Sequence, residues 1–428
     1  MPEAKISTPA APANQPHQHA AFFRQSGWMM IASIGSGGLF YLVHLLSKKI
    51  SAAEYGAFGV MIAVAMCVPN MPLQMVFAQQ TARALATGRE RALAGMIRLA
   101  WLGTFVLALL LAAAMALWHA QIQAAWKLPS QSGLWITLAV VMLTFWMPMF
   151  LGLLQGRQDF FWLGWVAILN SVGRIVVAAV LVLFFAGAST QMVFGVCVGL
   201  MIAVGVGIWQ TRDLWRLRPE PFNVRELLAQ IVPLMLGFGA VQFLFSADTM
   251  FVKAYFSEDD SGFYVASGTL SRALLWLVLP LATVMFPKIV HSAARSEKSN
   301  LLGMVLLGTA LLAAGGALGL TILGPFVVKH AFKESFVPVA TQVLPWYAWA
   351  MVPLSLANAL INNLLARAQF RIVPALMVLA VAYGIALTHY HASLVQVLKT
   401  LGVFNLLLLL VAAWYSWREK KAGLPVKM

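Results

Sequence analysis

The chain has 428 residues, of which 61% are apolar and only 10% charged, yet its formal net charge is +15. A soluble domain of this length needs far more charge on its surface, whereas a chain surrounded by lipid needs almost none there. The composition points to a membrane protein, and no Gly-rich phosphate loop, nucleophile motif or His/Cys group at metal-ligand spacing accompanies it.

Residues 1–21 are rich in Ala, Pro and Gln and lack an apolar stretch, so they read as a disordered cytoplasmic tail rather than a signal peptide. A crossing helix needs about 20 mostly apolar residues. Runs of that kind, broken by charges or turn residues, fall near 23–46, 56–82, 96–118, 133–155, 161–186, 190–210, 228–255, 262–287, 301–324, 340–365, 372–390 and 393–417. The expected fold is an all-α polytopic membrane protein of about twelve transmembrane helices. A cytoplasmic linker over 212–227 separates the first six from the last six, and 418–428 form a basic cytoplasmic tail. With both termini inside, about 20 of the 29 Lys and Arg lie on inner segments, which is the bias expected of cytoplasmic loops. Spread over loop ends, these charges suit anionic lipid headgroups and do not form a nucleic-acid face. Cys67 and Cys197 fall inside spans without a partner motif and read as small packing residues.

The second half echoes the first. Leu154-Gln155-Gly156-Arg157-Gln158-Asp159-Phe160 closes the fourth span, and Leu364-Leu365-Ala366-Arg367-Ala368-Gln369-Phe370 closes the tenth, matching at Leu, a small residue, Arg and Phe. Glu54-Tyr55-Gly56-Ala57-Phe58 opens the second span, as Asp260-Ser261-Gly262-Phe263-Tyr264 opens the eighth. Two matches in register imply two pseudo-symmetric six-helix lobes, 22–211 and 228–417. An even number of spans in each gives the lobes one orientation, about an axis along the membrane normal, with a substrate cavity expected between them. Pro69, Pro72, Pro148, Pro233, Pro280, Pro345 and Pro353 add sites where helices bend.

With Ala53-Glu54-Tyr55-Gly56-Ala57-Phe58, Arg83, Leu154-Gln155-Gly156-Arg157, and Asp248 followed by Gly262-Phe263-Tyr264, the chain resembles a known family from about residue 22 to 417. That family is the polysaccharide-export branch of the multidrug/oligosaccharidyl-lipid/polysaccharide exporter superfamily. The resemblance implies twelve to fourteen spans, a V-shaped pair of lobes, and flipping of undecaprenyl-pyrophosphate-linked glycans by alternating access. The extra C-terminal pair of spans typical of peptidoglycan-precursor flippases is missing. Membrane lipids, the polyprenyl-pyrophosphate-linked glycan and other polysaccharide biosynthesis proteins are the implied partners, with no cofactor beyond a coupling H+ or Na+.

Charges within spans are costly and usually face a cavity or a partner. Arg174 lies about 15 residues, roughly 22 Å of helical rise, from the inner end of its span. Asn170 is one turn before it, so both share a polar helix face, which suits either substrate phosphate or an interhelical pair or snorkelling arginine. Asp248 and Arg272 sit on adjacent spans at similar depth, either as a structural ion pair or as a switch. In the switch, phosphate takes Arg272 and Asp248 accepts a coupling ion. Gln242, Ser246, Thr249 and Lys253 form a polar stripe that a lipid-facing helix would not keep. Asn70, Gln74, Arg83, Asn358 and Asn362 are further candidates for substrate contact, unless they serve helix packing. His44 could relay protons. Trp28, Trp101, Trp118, Trp126, Trp162 and Trp417 near span ends suggest an interfacial belt.

A flippase for an anionic lipid-linked oligosaccharide fits the basic sign of the buried charge. A cation-coupled multidrug exporter should instead carry acids in its cavity. A membrane glycan polymerase or ligase needs a large outer loop, and the outer loops here are short.

Overall fold

In lipid the backbone has no water to bond with, so long apolar segments close their hydrogen bonds within helices. The computed structural model describes the backbone of residues 15–294 and 301–422, and the side chains of 27–278, 302–365 and 367–418. The chain runs through α1 (Gln15–Leu42), a 3-10 segment (Val43–Lys49), α2 (Ala52–Met66), α3 (Asn70–Ala86), α4 (Glu90–Ala125), α5 (Gln131–Gly156), α6 (Phe160–Phe184), α7 (Ser189–Gln210) and α8 (Arg212–Arg216). It continues with α9 (Val224–Tyr255), α10 (Glu258–Ala294), α11 (Leu301–Ala331), α12 (Val337–Ala366), α13 (Val373–His389) and α14 (Leu394–Ala422). Among the described residues no strand occurs, and eleven segments are long and apolar enough to cross a membrane, α2 and α3 together forming one of them. The 37-residue α10 is the further helix of that length, which reaches the twelve spans expected. Helix α1 begins at Gln15, so residues 15–21, expected as tail, are its first turns. The rest of that expected tail, and 423–428 of the other, lie outside the described residues.

Two bundles form, and their packing repeats. In the first, the neighbours are α3 and α4, α3 and α5, α4 and α5, α5 and α7, α1 and α6, and α6 and α7. In the second, the equivalent pairs α10 and α11, α10 and α12, α11 and α12, α12 and α14, α9 and α13, and α13 and α14 pack together. The sequence echo has a structural cause at each site. After α5, Asp159 N–H bonds Leu154 O at 2.9 Å, and after α12, Gln369 N–H bonds Leu364 O at 3.0 Å. Gln158 (φ 59°) and Ala368 (φ 56°) both adopt the left-handed conformation that this helix-ending turn requires. Ser51 caps α2 by accepting from Glu54 N–H at 3.2 Å, as Ser257 caps α10 by accepting from Asp260 N–H at 3.1 Å.

The linker is fastened to the first bundle. Arg98 Nη2 donates to Trp215 O at 2.6 Å and Leu217 O at 2.8 Å, and Glu220 N–H bonds Arg91 O at 3.1 Å. Arg157 at the end of α5 forks onto Asp213 of α8 at 3.1 and 2.5 Å. Burial alone would raise the Asp213 carboxyl, but the hydrogen bonds and charge of Arg157 outweigh it and hold the group below its ordinary value. Not every tryptophan is a belt residue. The Trp28 indole donates to Phe160 O and Phe161 O, each at 3.1 Å, and Trp101 stacks on Trp146 at 4.0 Å, whereas Trp118 and Trp417 are exposed as a belt requires.

Candidate functional site between the lobes

The lobes meet where α2 and α3 face α9 and α10. Span two breaks between Met66 and Asn70 because Pro69 and Pro72 supply no N–H to the helix. The break leaves the Met66 carbonyl without its helical donor, and Gln242 Nε2 of α9 fills the vacancy across the interface at 3.1 Å. One turn on, Ser246 Oγ lies 3.2 Å from Cys67 Sγ, and near the end of α9 the buried Lys253 Nζ reaches Ala53 O at 3.5 Å. The α9 polar stripe therefore faces the other lobe, not lipid, as its composition required. It does so as a set of bonds to span two rather than as an open cavity wall.

At the face opposite the termini, the two echoing motifs touch each other. A Cβ on Gly56 would stand 2.2 Å from Ser261 Oγ, and one on Gly262 would stand 2.0 Å from Ala52 O, so only glycine lets the helix starts approach this closely. Asp259 Oδ1 accepts from Ala53 N–H at 3.1 Å, and Lys127 Nζ donates to Phe256 O at 2.7 Å. At the terminal face the lobes are joined more lightly. Gln230 Nε2 donates to Gln79 Oε1 at 2.8 Å, and Arg83 and Glu226, both mostly exposed, stand 3.6 Å apart.

Asp248 and Arg272 do pair. Arg272 Nη2 donates to Asp248 Oδ1 at 2.7 Å and to Thr249 Oγ1 at 2.9 Å, while its Nε donates to Phe245 O at 3.1 Å. The other carboxylate oxygen accepts from Tyr264 OH at 2.8 Å and from Tyr347 OH. Asp248 is 0% exposed, so this array of donors is what makes its charge tolerable. The two tyrosines, one of them in the echoing motif, were not singled out in the sequence. An aromatic residue in a span signals packing, and only the fold brings its hydroxyl to the acid.

Arg174 has no such partner. The ion pairs among the described residues are Arg83–Glu226, Arg91–Glu220, Arg157–Asp213 and Arg272–Asp248, and none includes it. Its guanidinium lies 4.2 Å over the Phe40 ring, and both its Nε and the Asn170 Oδ1 are buried without a hydrogen bond. Phe40 also lines a pocket of about 50 Å³ between α1, α2 and α10, with Tyr41, His44, Thr269, Arg272 and Trp276. His44 Nδ1 lies 2.8 Å from Tyr55 OH, which lies 3.3 Å from Thr269 Oγ1 on the other lobe. Because Thr269 gives its proton to Val265 O at 2.8 Å, the chain reads His44 to Tyr55 to Thr269, with the proton on Nδ1.

The remaining expected residues do not gather in one place. Gln74 donates to Gln155 Oε1 at 3.0 Å within the first bundle, and Asn70 is exposed at the start of α3. Asn358 and Asn362 are half-buried on α12 in the second bundle, and Asn362 Oδ1 has no partner. Lys399, a further basic residue within a span, lies 5.1 Å from the Trp346 ring. Among the described residues no His, Cys, Asp or Glu group could hold a metal ion.

No protein-family model and no curated protein sequence matches the chain. Solved structures do share its fold. A multidrug resistance MATE family transporter of the MOP superfamily, in an inward-facing conformation, superposes with a TM-score of 0.69 at 12% identity, over 90% of this chain and 94% of that one. The lipid II flippase MurJ in an inward closed conformation gives 0.69 at 15% identity, over 91% of this chain and 87% of that one. A MOP superfamily transporter from Pyrococcus furiosus, with a binding pocket of reversed polarity, gives 0.59 at 14% identity over 94% and 96%.

Proposed function

We propose that the chain is a flippase that moves an undecaprenyl-pyrophosphate-linked oligosaccharide across the cytoplasmic membrane by alternating access of its two lobes, for surface polysaccharide synthesis. Its terminal face lies in the cytoplasm in this reading. The observation that carries it is Arg174, a buried cation without a counter-anion among the described residues. A charge held that way is costly unless another state of the cycle supplies its partner, and a pyrophosphate supplies it in the forked geometry that a guanidinium favours. Phe40 both carries the Arg174 guanidinium on its ring and lines the lobe-interface pocket, so Arg174 stands one side chain away from that pocket.

The likeness to a lipid II flippase supports a lipid-linked cargo, and the equal likeness to a multidrug transporter supports export of drugs. The charges favour the first. The buried acid, Asp248, is already held by Arg272 and two tyrosines, while the unmatched charge is basic. Asp248 is also the coupling residue in this reading. Taking up H+ or Na+ there weakens its hold on Arg272 and frees that guanidinium for the cargo.

The test is reconstitution in proteoliposomes with a polyprenyl-pyrophosphate-linked oligosaccharide loaded in one leaflet, read by a membrane-impermeant lectin. Flipping by the parent protein that falls at least tenfold in Arg174→Gln is expected. Cation efflux without glycan flipping would overturn the reading in favour of drug export.

A further inference from the structure

We propose that a cleft at the terminal face, where α3, α4 and the start of α9 converge, binds the phosphate of a membrane lipid, and that the bound phosphate unlatches the lobes by taking Arg83 from Glu226. The cleft has a volume of about 120 Å³ and a polar rim of Gln80, Arg83, Thr87, Arg89, Asn223 and Glu226. Its floor is apolar, with Met96 and Phe222, so a phosphate at the rim can keep the first carbons of its ester on a dry surface. Two arginines face one acid. Arg89 belongs to no ion pair among the described residues, and Arg83 reaches Glu226 only at 3.6 Å with both side chains more than 60% exposed.

That exposure decides the outcome of a competition. An ion pair open to water is weak, whereas a phosphate offers its oxygens to two guanidinium groups at once, where the Glu226 carboxylate holds only Arg83 at 3.6 Å. Arg83 and Glu226 stand on opposite lobes, and the neutral bond from Gln230 to Gln79 is the other side-chain link beside them. Filling the cleft therefore removes the only ion pair between the lobes on this face among the described residues. The opposite face keeps its glycine contact and the bonds to Ala53, so the lobes part at the terminal face first. The ligand chemistry is a phosphate with net negative charge at the membrane surface, which an anionic phospholipid or a polyprenyl pyrophosphate provides and phosphatidylcholine, with its own ammonium, does not. Nothing in this site depends on what Arg174 carries.

The full chain in nanodiscs of neutral phosphatidylcholine, spin-labelled at Ala86→Cys and Leu228→Cys with both native cysteines replaced, reports the distance between α3 and α9 at this face. Adding phosphatidylglycerol or polyprenyl pyrophosphate is expected to lengthen it. A response to the pyrophosphate alone identifies a docking site for the lipid-linked cargo, an equal response to phosphatidylglycerol identifies a lipid site, and a response to inorganic phosphate shows that the headgroup suffices. Glu226→Gln should give the long distance with no ligand. Arg89→Gln, which leaves the latch intact, should need about tenfold more ligand or greater. No lengthening with any of the three, or Glu226→Gln at the parent distance, or Arg89→Gln with unchanged ligand demand, overturns the proposal.

Discussion

Replacing each buried arginine by methionine separates a charge held for structure from one held for cargo. Arg272→Met removes the partner of Asp248 and leaves a fully buried carboxylate with only Tyr264 and Tyr347 as donors. Breaking a buried pair in this one-sided way costs about 3–5 kcal/mol. Arg174→Met removes a buried cation that has no ion-pair partner among the described residues and gives up its contact with the Phe40 ring, worth about 0.5–2 kcal/mol. Against that loss stands relief of a desolvation penalty of several kcal/mol, so stability is expected to stay level or to rise by about 1–4 kcal/mol. Denaturant unfolding in a single detergent measures both. Glycan flipping is expected to be lost in Arg174→Met despite the intact fold. A loss of stability in Arg174→Met matching that of Arg272→Met would refute the reasoning, because it would mean that Arg174 serves the resting structure.

Oxidising the native Cys67 with Ser246→Cys should form a disulfide between the lobes, since the present Sγ and Oγ are 3.2 Å apart; arrest of flipping that a reductant reverses is expected, and no cross-link would refute the contact. Gly262→Ala puts a methyl group 2.0 Å from Ala52 O, about 1.5 Å short of ordinary contact, so labels on α2 and α10 should move apart at that face. Asp213→Asn tests the fork on Arg157. The Asp213 carboxyl is held below its unfolded value, so its pair adds stability above about pH 4 that is lost as pH falls through the folded-state value. With the Asp213 side chain 59% exposed, the substitution should cost about 1 kcal/mol or less at neutral pH and nothing once acid has protonated the parent, as unfolding at the two pH values would show.

The twelve spans were legible because the requirement for about 20 apolar residues acts on every helix separately. The repeat was legible for a related reason: Gly56 and Gly262 are forced by close approach, and the turn through Gln158 and Ala368 is forced by helix ends of one geometry. What these constraints have in common is that they are local, or involve one small residue. The caps by Ser51 and Ser257 belong to the same echo and follow from serine three residues before an acid, a signal that was present and not used.

Partnership across the bundle was harder to read. The Asp248–Arg272 pair lay within reach of helical spacing alone, since both flank one short loop. The hydroxyls of Tyr264 and Tyr347 did not, because Tyr347 comes from another helix whose rotation no spacing rule fixes. In the same way, Gln74 and Gln242 look alike as amides inside spans, yet one bonds a neighbour in its own bundle and the other bonds the opposite lobe.

The α9 stripe joins these observations into one mechanism. Under the proposed alternating access, Gln242, Ser246 and Lys253 meet water or cargo in another state, and in the present one each bonds span two. A polar residue that exchanges a bond across the interface for a bond to water or sugar makes separation of the lobes inexpensive, whereas an apolar interface would resist it. The Met66 carbonyl, which Gln242 now occupies, has the same property, since Pro69 and Pro72 prevent the uninterrupted helix that would otherwise enclose it. In the proposed cycle, bonding between closed lobes and lining of an open cavity are thus two states of the same side chains. By this logic Gln242→Leu, which cannot bond Met66 O in the closed state or cargo in the open one, should slow flipping more than Ser246→Ala, whose hydroxyl already donates to Gln242 O at 2.7 Å.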